Sequence, residues 1–232
     1  LAFLRARERR DVTGFATGAI AGWTRLIAPR LGAPVVYAGW GERPAAPGQP
    51  MVGTLIRDFG FPALRPIERL YGVVGNPVAH SLSPRLHNAG YRAFGLPLLY
   101  LPLHVEAFGD FWLEVVESEI LPTLGLSFGG FSVTAPYKEA AVAVAGGISP
   151  LAERTGSANT LVLTARSGWA ADTTDSRGVL GPLLERGIEP ERLTAAVVGT
   201  GGAGRVAAIG LASAGARVLL VNRTRDSGEK AA

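Results

Sequence analysis

Residues 194–221 read TAAVVGTGGAGRVAAIGLASAGARVLLV and indicate the fold class of this chain. An apolar strand over 194–198 leads into the glycine-rich run GTGGAG, and a helix over 203–214 is followed by a second apolar strand over 216–221. The pattern G-x-G-x-x-G is weak evidence by itself, but here a strand precedes it and a helix follows it, as dinucleotide binding requires. The stretch therefore predicts the first β-α-β unit of a dinucleotide-binding domain.

Three glycines of this run have separate physical roles. Gly199 permits a tight turn, Gly201 lets the backbone approach a pyrophosphate, and Gly204 permits close packing of the helix on the sheet. The helix N-terminus then offers N–H groups and partial positive charge to phosphate. A glycine turn without a ligand is the less favoured alternative. The expected cofactor contacts are Gly199, Gly201, Gly202, Ala203, Gly204, Arg205, Asn222, Arg223, Thr224 and Arg225.

The end of the second strand indicates which dinucleotide binds. An NAD site would place Asp or Glu there, roughly 20 residues after the glycines, to bind the ribose hydroxyls. This chain has Asn-Arg-Thr-Arg at 222–225 instead. Two guanidinium groups can pair with a 2′-phosphate in bidentate fashion. The sequence therefore predicts NADP, with a solvated basic turn as the alternative.

Strands and helices also alternate upstream, which predicts a mostly parallel α/β sheet. The expected strands cover 70–75, 98–103, 129–134 and 159–164, and the expected helices cover 83–94, 106–117, 137–145 and 176–186. Ser83 is expected to cap the first of these helices, with Pro84 at its first position. Further upstream we expect strands over 12–16 and 34–38, helices over 19–31 and 51–58, and a linker from Gly60 to Pro66. Because the chain begins without Met and stops after a strand, we expect it to be a piece of a longer polypeptide.

The composition excludes several classes of function. The net charge is +4 and the pI is about 9.8, but the arginines are dispersed, so we expect small anionic ligands and no nucleic acid. There is no cysteine and there are three histidines, so we expect neither a disulfide nor a metal site. No transmembrane run or signal peptide is found, and we expect a cytoplasmic protein without a membrane partner.

Lys138 is one of two lysines among 23 basic residues, and it ends the segment SVTAPYK. Lysine can donate and regain a proton, which arginine effectively cannot do. Lys138 is therefore the first candidate for an acid–base group. Asp175 is a candidate partner for its ammonium group, with a helix N-cap as the alternative role. Ser81 and Ser83 place two hydroxyls at a helix start, where they suit a carboxylate or sugar-like hydroxyls.

Six segments, in order, resemble shikimate dehydrogenase over about residues 70–230. They are LYGVVGNPVAHSLSPRLH at 70–87, GFSVTAPYK at 130–138, SANT at 157–160, DTTD at 172–175, GTGGAGR at 199–205 and NRT at 222–224. The resemblance implies NADPH-dependent reversible reduction of 3-dehydroshikimate to shikimate. It implies Lys138 and Asp175 as the catalytic pair. The substrate-binding positions that it implies are Ser81, Ser83, Ser132, Thr134, Asn159 and Asp175.

The chain departs from the family pattern at three positions. Ser132 stands where the bacterial monofunctional pattern has Asn, and its shorter side chain reaches less far toward one substrate contact. Serine at this position resembles the plant-type bifunctional pattern. Thr173 replaces another Asn. Ser227 stands where an arginine that holds the 2′-phosphate is expected, and Arg225 is the candidate substitute.

The first sixty residues resemble the end of a type I 3-dehydroquinate dehydratase barrel. Arg25 and Gln49 match that family's substrate-binding arginine and lid-loop glutamine, and Ala45 replaces its serine. The Schiff-base lysine and its histidine would lie upstream of Leu1. The resemblance implies a C-terminal remnant of a TIM barrel over 1–60 and a linker over 61–69. A shikimate-dehydrogenase-type α/β substrate domain over 70–175 and the start of a Rossmann NADP-binding domain over 176–232 would follow.

Two alternatives are compatible with the same motifs. A quinate/shikimate dehydrogenase that uses NAD would share every substrate motif. A non-catalytic regulator that senses quinate-type ligands could be built from the same two domains, although it need not keep Lys138 and Asp175.

Overall fold

The computed structural model describes residues 11–41, 44 and 46–224. The chain divides into two compact units, the first ending at Pro136 and the second beginning at Tyr137. The sequence-based domain limits at residues 60, 70 and 175 remain predictions.

Among the described residues up to position 60, less regular structure is found than the sequence predicts. Helix α1 covers Thr24–Ile27 and continues into a 3₁₀ turn over Ala28–Leu31, and helix α2 covers Val52–Phe59. The helix predicted over 51–58 is confirmed, whereas the one predicted over 19–31 begins late because turns occupy the preceding residues. Gly18, just before these turns, has φ +90°, a conformation that glycine favours.

The strands predicted over 12–16 and 34–38 are wrong, because neither segment forms a strand. Thr13 supplies the physical reason. Its hydroxyl accepts the backbone N–H of Val35 at 3.3 Å and donates to the carbonyl of Val35 at 3.2 Å. A side chain thus takes hydrogen bonds that a backbone ladder would otherwise use.

The rest of the first unit is built on three parallel strands. Strands β1 (Arg69–Gly75), β2 (Leu98–His104) and β3 (Phe128–Val133) lie in the order β2-β1-β3, and all pairs are parallel. Helix α3 (Ser83–Ala93) forms the crossover between β1 and β2. Because the strands are parallel, the residues that follow β1 and β3 leave the same edge of the sheet.

The connection from β2 to β3 is helical but irregular. Helix α4 (Phe108–Phe111) continues into a π-helical turn over Trp112–Val116, and helix α5 covers Ile120–Thr123. The helix predicted over 106–117 is therefore confirmed in position but is not a regular α-helix. Phe111 packs edge-on against Phe131 of β3, with ring centroids 5.9 Å apart, so this connection covers one face of the sheet.

The second unit begins with a mixed sheet. It contains helix α6 (Lys138–Ala143), strand β4 (Gly147–Ile148), helix α7 (Pro150–Thr155), strand β5 (Thr160–Thr164) and strand β6 (Gly168–Asp172). Strand β6 pairs in parallel with β4 and antiparallel with β5. The connection between β5 and β6 is too short for a parallel crossover. The β5–β6 pair therefore makes the sheet mixed, whereas the β1–β2, β1–β3 and β4–β6 pairs are parallel, as predicted. Strands β4 and β6 and helix α7 were not predicted.

Helix α8 (Asp175–Glu185) then leads to a parallel strand–helix–strand segment. Strand β7 covers Thr194–Val198, helix α9 covers Gly202–Ser213 and strand β8 covers Arg217–Val221. These bounds agree with the predicted ones to within a residue. In the part of the chain that the structure describes, no helix is long and apolar enough to cross a membrane.

Candidate functional site

Lys138 and Asp175 form an ion pair in the second unit. Lys138 is the first residue of α6, Asp175 is the first residue of α8, and Lys138 Nζ lies 2.6 Å from Asp175 Oδ2. Their side chains are 17% and 24% exposed, so the pair is shielded but reachable. A carboxylate is favoured at a helix N-terminus and an ammonium is not. The carboxylate of Asp175 therefore compensates the ammonium of Lys138.

Asn159 holds the other oxygen of this carboxylate. Its side-chain Nδ2 donates to Asp175 Oδ1 at 2.7 Å and to Thr174 Oγ1 at 3.0 Å. Its Oδ1 accepts the backbone N–H of Thr174 at 3.1 Å and the hydroxyl of Thr160 at 2.8 Å. The amide of Asn159 is thus committed to fixing Asp175, and both carboxylate oxygens have a partner.

The turn before Asp175 depends on Asp172. Asp172 Oδ1 accepts the hydroxyl of Ser149 at 2.6 Å and the backbone N–H of Thr173 at 2.8 Å. Thr173, which departs from the family pattern, is 4% exposed, and its hydroxyl has no hydrogen-bond partner. The turn is therefore held by its backbone and by Asp172, and the side chain at position 173 adds no polar contact.

The predicted hydroxyls of the first unit lie around one edge of its sheet. Ser81 is in the loop after β1, and Thr134 follows β3, where its backbone N–H donates to Val74 O at 2.9 Å. The assignment of Ser83 as N-cap is wrong. Ser83 is the first residue of α3, and its backbone N–H donates to Ser81 Oγ at 3.2 Å. The N-cap of α3 is Leu82, because the helix begins one residue earlier than expected, and Leu82 has no side-chain oxygen to cap it.

Ser132 has a partner that the sequence did not indicate. Tyr100, on β2, donates its hydroxyl to Ser132 Oγ at 2.7 Å. Burial raises the pKa of Tyr100, and hydrogen bonds to Ser132 and Ser83 act in the opposite direction. The tyrosine within the apolar strand LLYLPLH could have indicated this contact from the sequence, because a buried phenol usually requires a hydrogen-bond partner.

The glycine run forms a tight turn that leads into α9. Gly199 has φ +93°, and a Cβ at Gly204 would collide with the carbonyl oxygen of Gly199. Gly201 precedes α9 in an extended conformation, and a Cβ there would meet nothing within 4 Å. The space beside Gly201, just before the first N–H groups of α9, is therefore open. These residues fit a phosphate group.

The remaining predicted cofactor residues have different surroundings. Gly202 and Ala203 lie in the first turn of α9, and Arg205 in the same helix forms an ion pair with Glu139. Asn222 Nδ2 donates to Thr224 O at 2.8 Å, which fixes the turn after β8, and Arg223 in that turn is exposed. Arg225, Ser227 and Ala45 lie outside the described residues. The cofactor-binding roles of all these residues remain predictions.

Arg25, one of the two predicted dehydratase residues, is engaged inside the first unit. It is 3% exposed, its Nη1 donates to Tyr37 O at 2.7 Å, and its Cζ lies 4.1 Å from the ring centroid of Phe15. Burial lowers the pKa of this guanidinium. Its contacts are therefore structural ones within the described residues, and a substrate-binding role for Arg25 remains a prediction.

A cleft of about 430 Å³ lies in the first unit. Gln49, the other predicted dehydratase residue, lines it together with Ser81, Asp58 and His104. Arg25, Ser83, Ser132 and Thr134 are not among its lining residues. Gln49 and Ser81 thus line the same cavity. Arg25, the other predicted dehydratase residue, does not line it.

The fold and the site define an α/β protein that carries a lysine–aspartate pair and a glycine-rich turn. Residues 73–161 match the family described as the shikimate dehydrogenase substrate binding domain. Over these residues the chain is similar to that substrate-binding domain.

Curated relatives extend the similarity beyond that domain. The chain is 37% identical to a shikimate dehydrogenase (NADP(+)) of Methanosarcina mazei over 161 residues, which are 69% of this chain and 55% of that protein. It is 44% identical to the enzyme of the same name from Acidiphilium cryptum over 156 residues, which are 67% of this chain and 54% of that protein. The chain thus spans about half the length of these relatives.

Two further proteins are informative. The crystal structure of shikimate 5-dehydrogenase from Thermus thermophilus, in complex with NADP(H) and shikimate, superposes with a TM-score of 0.58 at 34% identity, covering 70% of this chain and 59% of that one. A bifunctional 3-dehydroquinate dehydratase/shikimate dehydrogenase of Arabidopsis thaliana is 29% identical over 216 residues, which are 87% of this chain and 34% of that protein.

Proposed function

We propose that this chain is part of a shikimate dehydrogenase that catalyses the NADPH-dependent, reversible reduction of 3-dehydroshikimate to shikimate. The observation that carries the proposal is the Lys138–Asp175 pair, 2.6 Å apart, with Asn159 holding the second carboxylate oxygen. The names of the curated relatives and the bound NADP(H) and shikimate in the Thermus thermophilus structure support the same reaction.

The reaction converts a ketone to a secondary alcohol, so a hydride must reach the carbonyl carbon and a proton must reach its oxygen. NADPH, when bound, supplies the hydride. The ammonium group of Lys138 supplies the proton and stabilises the negative charge that develops on the oxygen. Asp175 keeps Lys138 in place and compensates its charge, and Asn159 fixes Asp175. Ser81, Ser83, Ser132 and Thr134 are the proposed substrate-binding hydroxyls of the first unit.

For the cofactor we propose NADP rather than NAD. Strand β8 ends without an acidic residue, and the exposed Arg223 follows within two residues of it. A guanidinium at this position pairs with a 2′-phosphate, whereas a carboxylate would repel it. The backbone N–H groups from Gly201 to Gly204 would hold the pyrophosphate.

We also propose that the residues up to about 60 derive from a dehydratase barrel fused in front of the dehydrogenase. The relative from Arabidopsis thaliana, whose name joins both activities, supports this because its similarity extends over 87% of the chain. The TIM-barrel origin of residues 1–60 and the Rossmann character of residues 176–232 belong to this proposal. Arg25 and Gln49 would be the remaining dehydratase positions.

Steady-state assays of the full-length protein test the dehydrogenase proposal. We expect oxidation of shikimate with NADP⁺ at a kcat/KM well above that with NAD⁺ and above that for quinate. A preference for NAD⁺ and quinate would identify the quinate/shikimate dehydrogenase alternative. Binding of quinate or shikimate in calorimetry, without turnover in the presence of either cofactor, would refute the enzymatic function. It would favour the alternative of a non-catalytic, ligand-sensing regulator.

A further inference from the structure

Two neighbouring residues, Asn88 and His87, hold Tyr100 in place in the first unit. Asn88 Nδ2 donates to the carbonyl of Tyr100 at 2.9 Å, and Asn88 Oδ1 accepts its backbone N–H at 2.8 Å. The ring of His87 stacks on the ring of Tyr100 with centroids 4.2 Å apart and planes 4° from parallel. Tyr100 and Asn88 are 2% and 3% exposed. The backbone and the ring of Tyr100 are thus both fixed, and its hydroxyl has a defined position.

That hydroxyl determines what Ser132 can do. Tyr100 Oη donates to Ser132 Oγ at 2.7 Å. Burial raises the pKa of Tyr100, so its hydroxyl keeps its proton at neutral pH. A serine hydroxyl rotates and can either donate or accept. With the Tyr100 proton directed at its oxygen, Ser132 has its own proton left to donate to a further group.

We propose that Tyr100 is a positioning residue that fixes Ser132 as a hydrogen-bond donor to an oxygen of the substrate. The inference rests on the proposed function. At position 132 the resembled bacterial pattern has Asn, whose amide N–H₂ can only donate. Here the rotating hydroxyl of Ser132 gains the same donor character from Tyr100. The pair then favours a substrate oxygen that only accepts, as keto and carboxylate oxygens do.

A double-mutant cycle in the full-length protein tests the proposal. The variants are Tyr100→Phe, Ser132→Ala and their combination. Tyr100→Phe keeps the stacked ring and removes only the hydroxyl. Tyr91→Phe is the matched control, because it removes a hydroxyl from an aromatic ring packed on the same cluster as Tyr100. The readouts are KM and kcat for shikimate oxidation with NADP⁺, the dissociation constant of shikimate in calorimetry, and the melting temperature.

We expect Tyr100→Phe to raise KM and the dissociation constant about three- to tenfold, as the loss of one neutral hydrogen bond predicts. We expect kcat to stay within about twofold, since the lost contact is made equally in the ground and transition states. In the Ser132→Ala background the same change should have little further effect, because Tyr100 acts through Ser132. Tyr91→Phe should leave both constants unchanged.

Two results would overturn the proposal: an unchanged KM in Tyr100→Phe, or an equal effect of Tyr100→Phe with and without Ser132. A drop in melting temperature without a change in KM would assign Tyr100 to stability alone. If the wild-type protein neither binds nor oxidises shikimate, the proposed function fails and this inference fails with it. Wild-type turnover with an unaffected Tyr100→Phe variant refutes this inference only.

Discussion

Replacing Lys138 by alanine separates catalysis from stability in the proposed dehydrogenase. The change removes the ammonium group that lies 2.6 Å from Asp175 Oδ2. Asp175 then keeps its hydrogen bond from Asn159 at 2.7 Å and its place at the N-terminus of α8. A carboxylate with these two supports is not left uncompensated. The fold should therefore tolerate the substitution, whereas proton transfer should not.

The two expected magnitudes differ enough to be told apart. A partly exposed ion pair contributes about 1 kcal/mol or less to stability. For a protein of this size, 1 kcal/mol shifts the melting temperature by roughly 2–4 °C. Loss of a positioned acid–base group lowers kcat by about 10²–10⁴. That factor raises the barrier by about 3–5 kcal/mol, several times the stability effect.

The assay is steady-state oxidation of shikimate with NADP⁺ in the full-length protein, together with thermal melting of the same preparations. We expect a strongly reduced kcat with little change in KM. Arg192→Ala is the matched control, because Arg192 also pairs with a carboxylate in the second unit, Glu189 at 2.7 Å, but is 82% exposed. It should leave kcat unchanged. A Lys138→Ala variant with wild-type kcat would refute the assignment of Lys138 as proton donor.

Three other substitutions test separate parts of the structure. Arg223→Ala should raise the KM for NADPH about tenfold or more and the KM for NADH little, as expected for one lost bidentate phosphate contact. An equal increase in KM for both cofactors in parallel titrations would contradict a 2′-phosphate contact. Gly202→Ala should destabilise the protein by about 1–3 kcal/mol in urea unfolding, because its Cβ would lie 2.5 Å from Ser157 Oγ. Adding Ser157→Ala should recover part of the lost stability, and no recovery would argue against this collision. Arg25→Ala should lower stability by about 2 kcal/mol, because Arg25 packs over Phe15 and is buried; unchanged urea unfolding would indicate a guanidinium free to bind a ligand.

Local sequence patterns were sufficient to predict secondary structure where each segment determines its own conformation. Strands β7 and β8 and helix α9 were predicted closely because apolar runs, a glycine turn and a helix-forming stretch follow one another without conflict. The strand expected over 12–16 failed for the opposite reason. Apolar content favours a strand, but a strand also requires a backbone neighbour, and the side chain of Thr13 occupies the polar groups of Val35 instead.

The candidate site was predictable in its chemistry and only partly in its contacts. The pairing of Lys138 with Asp175 followed from the scarcity of lysine and from the resemblance, and the structure places their charged atoms 2.6 Å apart. The contact of Tyr100 with Ser132 joins residues 32 positions apart on strands that do not pair directly. No local pattern encodes such a contact, because it depends on strand order and register in the sheet.

Gly202 shows how one residue can satisfy two requirements of the second unit. The sequence assigns it to the cofactor turn, where it lies in the first turn of α9. In the structure a Cβ at this position would also lie 3.4 Å from Lys138 Cβ, in addition to its collision with Ser157 Oγ. The start of α9 thus packs directly against the residue proposed to donate the proton. A Cβ at position 202 would collide with Ser157 Oγ, whereas its distance from Lys138 Cβ is that of an ordinary van der Waals contact. Gly202→Ala should therefore disturb the start of α9 through Ser157 and leave Lys138 in place.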